Sequence, residues 1–134
     1  MAKINVVFDT NVWISAVLFN GTPKKAIDLA LEKCQIFCSA AILQELREVL
    51  IDDFGLPSEK LEEVTEVILN MVRIVPIMGN LKNISLDQKD NPIIETALAS
   101  GADYLVSGDK HLLILEKFQN IKIITPSQFI SIAY

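Results

Sequence analysis

The stretch Ile4-Asn5-Val6-Val7-Phe8-Asp9-Thr10-Asn11 decides the fold. Four of its first five residues are apolar and β-branched side chains dominate, the pattern of a strand buried on both faces of a parallel sheet. It turns polar abruptly at Asp9. Open α/β sheets gather their ligands just beyond the carboxyl ends of such strands, so Asp9 stands where a functional acid is expected. The residues after it, Val12, Trp13, Ile14, Val17 and Leu18, are apolar at helical spacing, with Thr10 or Asn11 suited to cap them. The opening unit is a strand, a tight turn and a helix.

Working outward, Thr22 as N-cap and Pro23 at the first helical position open a second helix. Gln35-Ile36-Phe37-Cys38 reads as a second strand, and Ser39 caps a helix over 40–50 whose apolar stripe is Ile42, Leu43, Leu46, Val49 and Leu50. Glu45 borders that stripe. An unaccompanied acid is expensive there; the plain alternative is a solvated glutamate, as Glu48 is. After a loop, Ser58 opens an amphipathic helix with Leu61, Val64, Val67, Ile68 and Met71 inward, while Glu59, Glu62, Glu63 and Glu66 solvate the other face. Residues 73–77 form a third strand, placed near a sheet edge by Pro76.

An irregular connection leads to Asp87-Gln88-Lys89-Asp90-Asn91-Pro92, and Pro92 and Gly101 delimit the next helix. Asp90 and Asn91 stand at its N-terminus, where an acid can simply cap, a contribution of ~1 kcal/mol. Asp87 is not needed for that. A fourth strand over 102–107 ends at Gly108-Asp109-Lys110, so an acid again follows the carboxyl end of an apolar strand. A helix over 110–118, a fifth strand over 121–124 and a helix over 126–132, capped by Thr125 or Ser127, complete the chain. His111 has no partner histidine and reads as structural or solvated.

Alternating strands and helices predict a three-layer α/β/α domain with a mostly parallel sheet of four to five strands. With 134 residues, 51% hydrophobic and no Pro/Gly/Ser-rich linker, residues 1–134 make one domain. Cys34 and Cys38 lie in an apolar run with only one histidine in the chain, so reduced buried thiols are expected rather than zinc. No signal peptide or membrane-length run is present, which points to the cytoplasm. A balance of 12 basic against 17 acidic residues, net −5, argues against a broad basic face gripping nucleic acid. It leaves room for binding through metal, since two dications would add four charges and bring −5 to −1.

In such a sheet the first and fourth strands end on one edge, where the helices of Glu45 and Asp90 begin. Asp9, Asp90 and Asp109 therefore converge there, with Glu45 one to two turns into its helix. Carboxylates at close range repel and take up protons unless a cation compensates. Oxygen ligands favour Mg²⁺ or Mn²⁺, and such an ion binds phosphates and acidifies a bound water into a nucleophile.

Asp9-Thr10-Asn11, Glu45 after the second strand, Asp90-Asn91 and Ser107-Gly108-Asp109, in this order and spacing, resemble the PIN-domain family, in particular its VapC-like toxins. The similarity runs over nearly the whole chain, including Ile123-Ile124-Thr125-Pro126 and Phe129. Each motif alone is weak; the ordered set is specific. The resemblance implies a Mg²⁺- or Mn²⁺-dependent single-strand endoribonuclease, the toxin of a toxin–antitoxin pair, in which Asp9, Glu45, Asp90 and Asp109 hold the metal. Asp9 and Asp109 would be direct ligands, Glu45 would ligate through or orient a water, and Asp90 would complete the cage. Asn11 and Ser107 would hydrogen-bond the ligands or the nucleophilic water. Ser107 stands where many relatives have threonine, which keeps the hydroxyl. Asp87 matches a less uniform acidic position beside this set, and its role stays open. Homodimers and a cognate antitoxin that blocks the site are implied as well.

The expected mechanism is in-line attack on the RNA phosphodiester by a metal-activated water. Arg47, Lys89 and Lys110 are candidate phosphate contacts, with solvated surface charge as the plain alternative. A dinucleotide binder would need G-x-G-x-x-G after the first strand, which is absent. A small phosphatase or phosphoacceptor would need acids and a lysine in a different order. A catalytically silent PIN-like module binding RNA or protein, and a housekeeping RNA-processing nuclease, are the alternatives kept open. Clustered acids that cost stability argue against silence.

Overall fold

The structure is a computed structural model that describes residues 3–79 and 90–134. The chain runs β1 (Ile4–Phe8), α1 (Thr10–Leu18), α2 (Thr22–Lys33), β2 (Cys34–Cys38), α3 (Ala40–Asp52), α4 (Ser58–Met71) and β3 (Arg73–Ile74). It continues through α5 (Asn91–Ser100), β4 (Tyr104–Val106), α6 (Lys110–Leu113), β5 (Lys117–Phe118), β6 (Ile121–Ile124) and α7 (Pro126–Ala133). The strands form one sheet in the order β3-β2-β1-β4-β6-β5, parallel except for β5.

β1 is central because its apolar run can be buried on both faces, and Val6, Val7 and Phe8 are wholly buried. Val6 pairs with Ile36 of β2 on one side and with Tyr104 of β4 on the other. From β1 the chain steps to β2 and β3 in one direction, then returns across β1 to β4 and β6. Right-handed crossovers in opposite directions put α1 to α4 and α5 on opposite faces, giving the three-layer α/β/α architecture. The β1–β4 boundary is the switch point at which such sheets open a crevice.

α5 covers β1, β2 and β4, while α2 packs against α1 and α7. On the latter side Phe8 meets Trp13 and Phe129 edge-on, each with ring centroids 5.8 Å apart, and Phe129 also meets Tyr104 at 6.3 Å. α7 holds Phe129 in place through a capping box. Thr125 Oγ1 accepts from the Gln128 N–H at 3.1 Å and Gln128 Oε1 accepts from the Thr125 N–H at 2.9 Å. The opposite end of the sheet is pinned by Asp103, which accepts from the Asn5 N–H at 2.9 Å.

Among the described residues the sheet has six strands rather than four to five. Leu112, Leu113 and Leu115 mimic a helical stripe, but the helix expected over 110–118 stops at Leu113. Glu116 at φ 59° and Gln119 at φ 54° turn the chain in left-handed conformations, and Lys117 and Phe118 pair back on Lys122 and Ile121. That pairing covers an edge of β6 that would otherwise be open. β3 is confined to Arg73–Ile74 at the other edge, since Pro76 has no N–H to extend the ladder. Gly21, not Thr22, is the N-cap of α2, and Asp9, not Thr10 or Asn11, occupies the N-cap position of α1.

Phe129→Ala is expected to lower the unfolding free energy by about 3–5 kcal/mol in urea titrations, whereas Ile114→Ala, at a position 70% exposed, should change it by less than about 0.5 kcal/mol. A loss below about 1 kcal/mol for Phe129→Ala would contradict its place in the core.

Candidate functional site

A cavity of about 430 Å³ opens at the carboxyl edge of the sheet, and Asp9, Asn11, Glu45, Asp90 and Asp109 all line it. The four acids read from the sequence thus share one pocket. Glu48, Asp52 and Asp53 of α3 extend its acidic wall.

Asp9 is carried there by the sheet itself. Its N–H donates to the Val106 carbonyl at 2.9 Å, continuing the β1–β4 ladder one residue beyond the strand, and its carbonyl accepts from the Val12 N–H at 3.0 Å. Although Asp9 occupies the N-cap position and the Asn11 N–H favours its charged form, its side chain does not make the ordinary capping bond. The carboxylate instead accepts from the Ser107 hydroxyl at 2.7 Å. Ser107 Oγ in turn accepts from the Asp109 N–H at 2.9 Å. One buried hydroxyl therefore fixes both strand-end acids.

Asp109 caps α6 by accepting from the His111 N–H at 2.8 Å. Asp90 is buried at the N-cap position of α5 and makes no side-chain capping bond there. Glu45 is half-buried on α3, whose start Ser39 caps by accepting from the Ile42 N–H at 3.4 Å. The Thr96 hydroxyl of α5 donates to the same Ser39 Oγ at 2.8 Å. The helices of Glu45 and Asp90 are thereby tied to each other at the site. Nothing in the linear pattern marks Thr96 for this role, because threonine at an inward position of a helix reads as ordinary packing.

The electrostatics follow from burial. The Asp9 carboxyl is pushed up to about 6 chiefly by desolvation, with Asp90 and Asp109 adding to the rise and the Ser107 hydrogen bond opposing it. No lysine or arginine lines the cavity among the described residues. Arg47, a candidate phosphate contact from the sequence, does not line the cavity. Two residues from Glu45, it faces away across the helix, and its guanidinium donates to Thr65 Oγ1 and pairs with Glu62 of α4, both at 2.7 Å. Lys110 is exposed beside Asp109 without lining the cavity, and Asp87 and Lys89 lie outside the described residues.

The imidazole of His111, read from the sequence as structural or solvated, stands at the site. Asp90, Asp109 and His111 each offer a ligand atom within 4.8 Å of the others, and His111 Nδ1 is 3.7 Å from Asp109 Oδ1. The available signal was its position in the helical turn that Asp109 caps. Cys34 and Cys38 are buried and unpaired, and burial pushes the Cys38 thiol up to about 12, so it stays protonated and inert.

Fold and site together define an α/β/α domain whose functional edge is a pocket of carboxylates at the switch point of a parallel sheet. The model of the PIN domain matches residues 5–111, and the chain belongs to the PIN-domain family. An uncharacterized protein of Methanocaldococcus jannaschii is 33% identical over 147 aligned positions, covering 96% of this chain and 90% of that protein. The chain is similar in fold to VapBC2 from Rickettsia felis, solved bound to a DNA fragment from their promoter, with a TM-score of 0.65 at 15% identity, covering 91% of this chain and 98% of the other. No helix among the described residues is long and apolar enough to cross a membrane.

Because the fold raises the Asp9 pKa above its ordinary 3.8, its contribution to stability is complete below that value and is lost as pH rises through about 6. Metal-free Asp9→Asn, which keeps an acceptor for Ser107, is therefore expected to be more stable than the parent at pH 7.5 by up to about 3 kcal/mol, the gap closing below about pH 4. Thermal unfolding in a chelator checks this; a variant no more stable than the parent at pH 7.5 would contradict it.

Proposed function

We propose that this protein is a Mg²⁺- or Mn²⁺-dependent endoribonuclease acting on single-stranded RNA, and that it is the toxin of a toxin–antitoxin pair. The observation that carries the reading is the buried Asp9 carboxylate, bridged by Ser107 to the Asp109 loop and facing Asp90 in an acid-walled cavity. A fold that spends stability on clustered carboxylates without a lining lysine or arginine among the described residues gains from a divalent cation. PIN domains are in general metal-dependent nucleases, and this chain is a member.

The donor set fits such an ion. Carboxylate oxygens suit Mg²⁺ and Mn²⁺. Thr10 Oγ1 and Asn91 Oδ1, each next in sequence to one of the cavity's acids, are buried with no hydrogen-bond partner among the described residues. Asp9, Asp90 and Asp109 would hold the ion, and Glu45 would act through a water. When bound, a divalent ion supplies charge neutralisation for a phosphate and a water acidic enough to be a nucleophile.

The chain's own residues do the rest. Ser107 keeps Asp9 and Asp109 at a fixed separation, so neither carboxylate has to be gathered at the moment of binding. Glu45, half-buried on the cavity wall, is the acid free to orient a water or accept its proton. Asn11, exposed at the rim, offers an amide to the substrate or to that water. The acidic wall of Glu48, Asp52 and Asp53 repels RNA phosphates from an unloaded pocket, so binding of RNA at this edge depends on loading.

The motif resemblance to VapC-like toxins and the fold likeness to VapBC2 support the toxin role with a cognate antitoxin; a homodimer and a cytoplasmic location belong to the same proposal. In an assay on unstructured RNA with Mn²⁺, Asp9→Asn and Asp109→Asn are expected to lose at least about 100-fold in rate, and Ser107→Ala about 10–100-fold, with Ser107→Thr close to the parent. Undiminished cleavage by Asp9→Asn or Asp109→Asn would overturn the proposal.

A further inference from the structure

We infer that His111 supplies a ring nitrogen to the cation held by Asp90 and Asp109, and that this nitrogen makes the centre prefer Mn²⁺ over Mg²⁺. The inference rests on the cation-site reading above and deepens it.

The geometry carries it. Ligand atoms about 2.1 Å from one ion stand at most about 4.2 Å apart, and those of Asp90, Asp109 and His111 already lie within 4.8 Å of one another before any ion draws them in. The remaining closure falls to a side chain that can move, because the His111 ring is half exposed. Its backbone cannot drift away. The His111 N–H donates to Asp109 Oδ1 at 2.8 Å, so the helical turn that presents the imidazole is anchored on the same carboxylate. Asp9, only 3% exposed, lines the cavity with Asp90 and Asp109 from the carboxyl end of the neighbouring strand β1. The set is therefore mixed rather than purely acidic.

The imidazole also pairs with Asp109 in a partly exposed ion pair, and such a pair contributes little. Chemistry favours ligation. Mg²⁺ demands near-ideal oxygen coordination and keeps its waters, whereas Mn²⁺, the first and weakest of the transition series, still accepts a nitrogen donor beside its oxygens. A pocket of Asp9, Asp90 and Asp109 alone would not discriminate in this way. Adding His111 gives it a reason to.

The test uses the full chain loaded with Mn²⁺. Electron spin echo envelope modulation of the bound Mn²⁺ is expected to show the ¹⁴N coupling of an imidazole ligand, and His111→Gln is expected to abolish it. By calorimetry His111→Gln should weaken Mn²⁺ binding about tenfold or more while leaving Mg²⁺ binding within about twofold. Mn²⁺ bound without a nitrogen signal, or His111→Gln weakening both ions equally or neither, would overturn this inference and leave the cation site standing. Failure of the parent to bind Mn²⁺ at all would overturn both.

Discussion

The hydroxyl of Ser107 is the constraint on which the site depends. It donates to Asp9 and accepts from the Asp109 backbone, so the ends of β1 and β4 cannot separate without breaking the buried Ser107–Asp9 hydrogen bond. An unmet buried polar group costs about 1–3 kcal/mol, so the chain holds two mutually repelling acids together with a local device rather than with global stability. The same hydroxyl moderates the rise in the Asp9 pKa, since a hydrogen bond to a carboxylate favours its charged form. Geometry and charge are managed by one side chain.

Everything upstream serves to bring Ser107 and Asp9 into register. β1 can be central only because its side chains are apolar on both faces, and its parallel pairing with β4 puts Phe8 opposite Val106, with Asp9 continuing the ladder. Across the crevice the Ser39–Thr96 hydrogen bond ties α3 to α5, which brings Glu45 and Asp90 to the same opening. Two short polar bridges, each joining elements far apart in sequence, assemble a pocket whose members repel one another. A protein that needed only stability would not retain such a cluster.

Strand-end acids were legible because burial of an apolar run forces the next polar residue to the sheet edge, which located Asp9 and Asp109 before any coordinates. Asp90 was harder to read, since an acid ahead of Pro92 serves equally as a cap, and only the missing capping bond separates the two uses. Arg47 lies near Glu45 in sequence, but two residues along a helix is just over half a turn, which carries it to Thr65 and Glu62 instead. The antiparallel β5 could not be seen, because Leu112, Leu113 and Leu115 satisfy a helical stripe while the left-handed turns at Glu116 and Gln119 leave no glycine signal. His111 read as structural or solvated because a lone histidine acquires meaning only from what faces it.

The central claim is that Asp9, Asp90 and Asp109 are gathered to share a cation. Crystals of the protein soaked in Mn²⁺, measured for anomalous scattering at the manganese edge, address it most directly. The account predicts an anomalous peak in the acid-walled cavity, within about 2.2 Å of oxygens from those carboxylates. A map without a peak there at saturating Mn²⁺, or with its peaks only elsewhere on the surface, would contradict it.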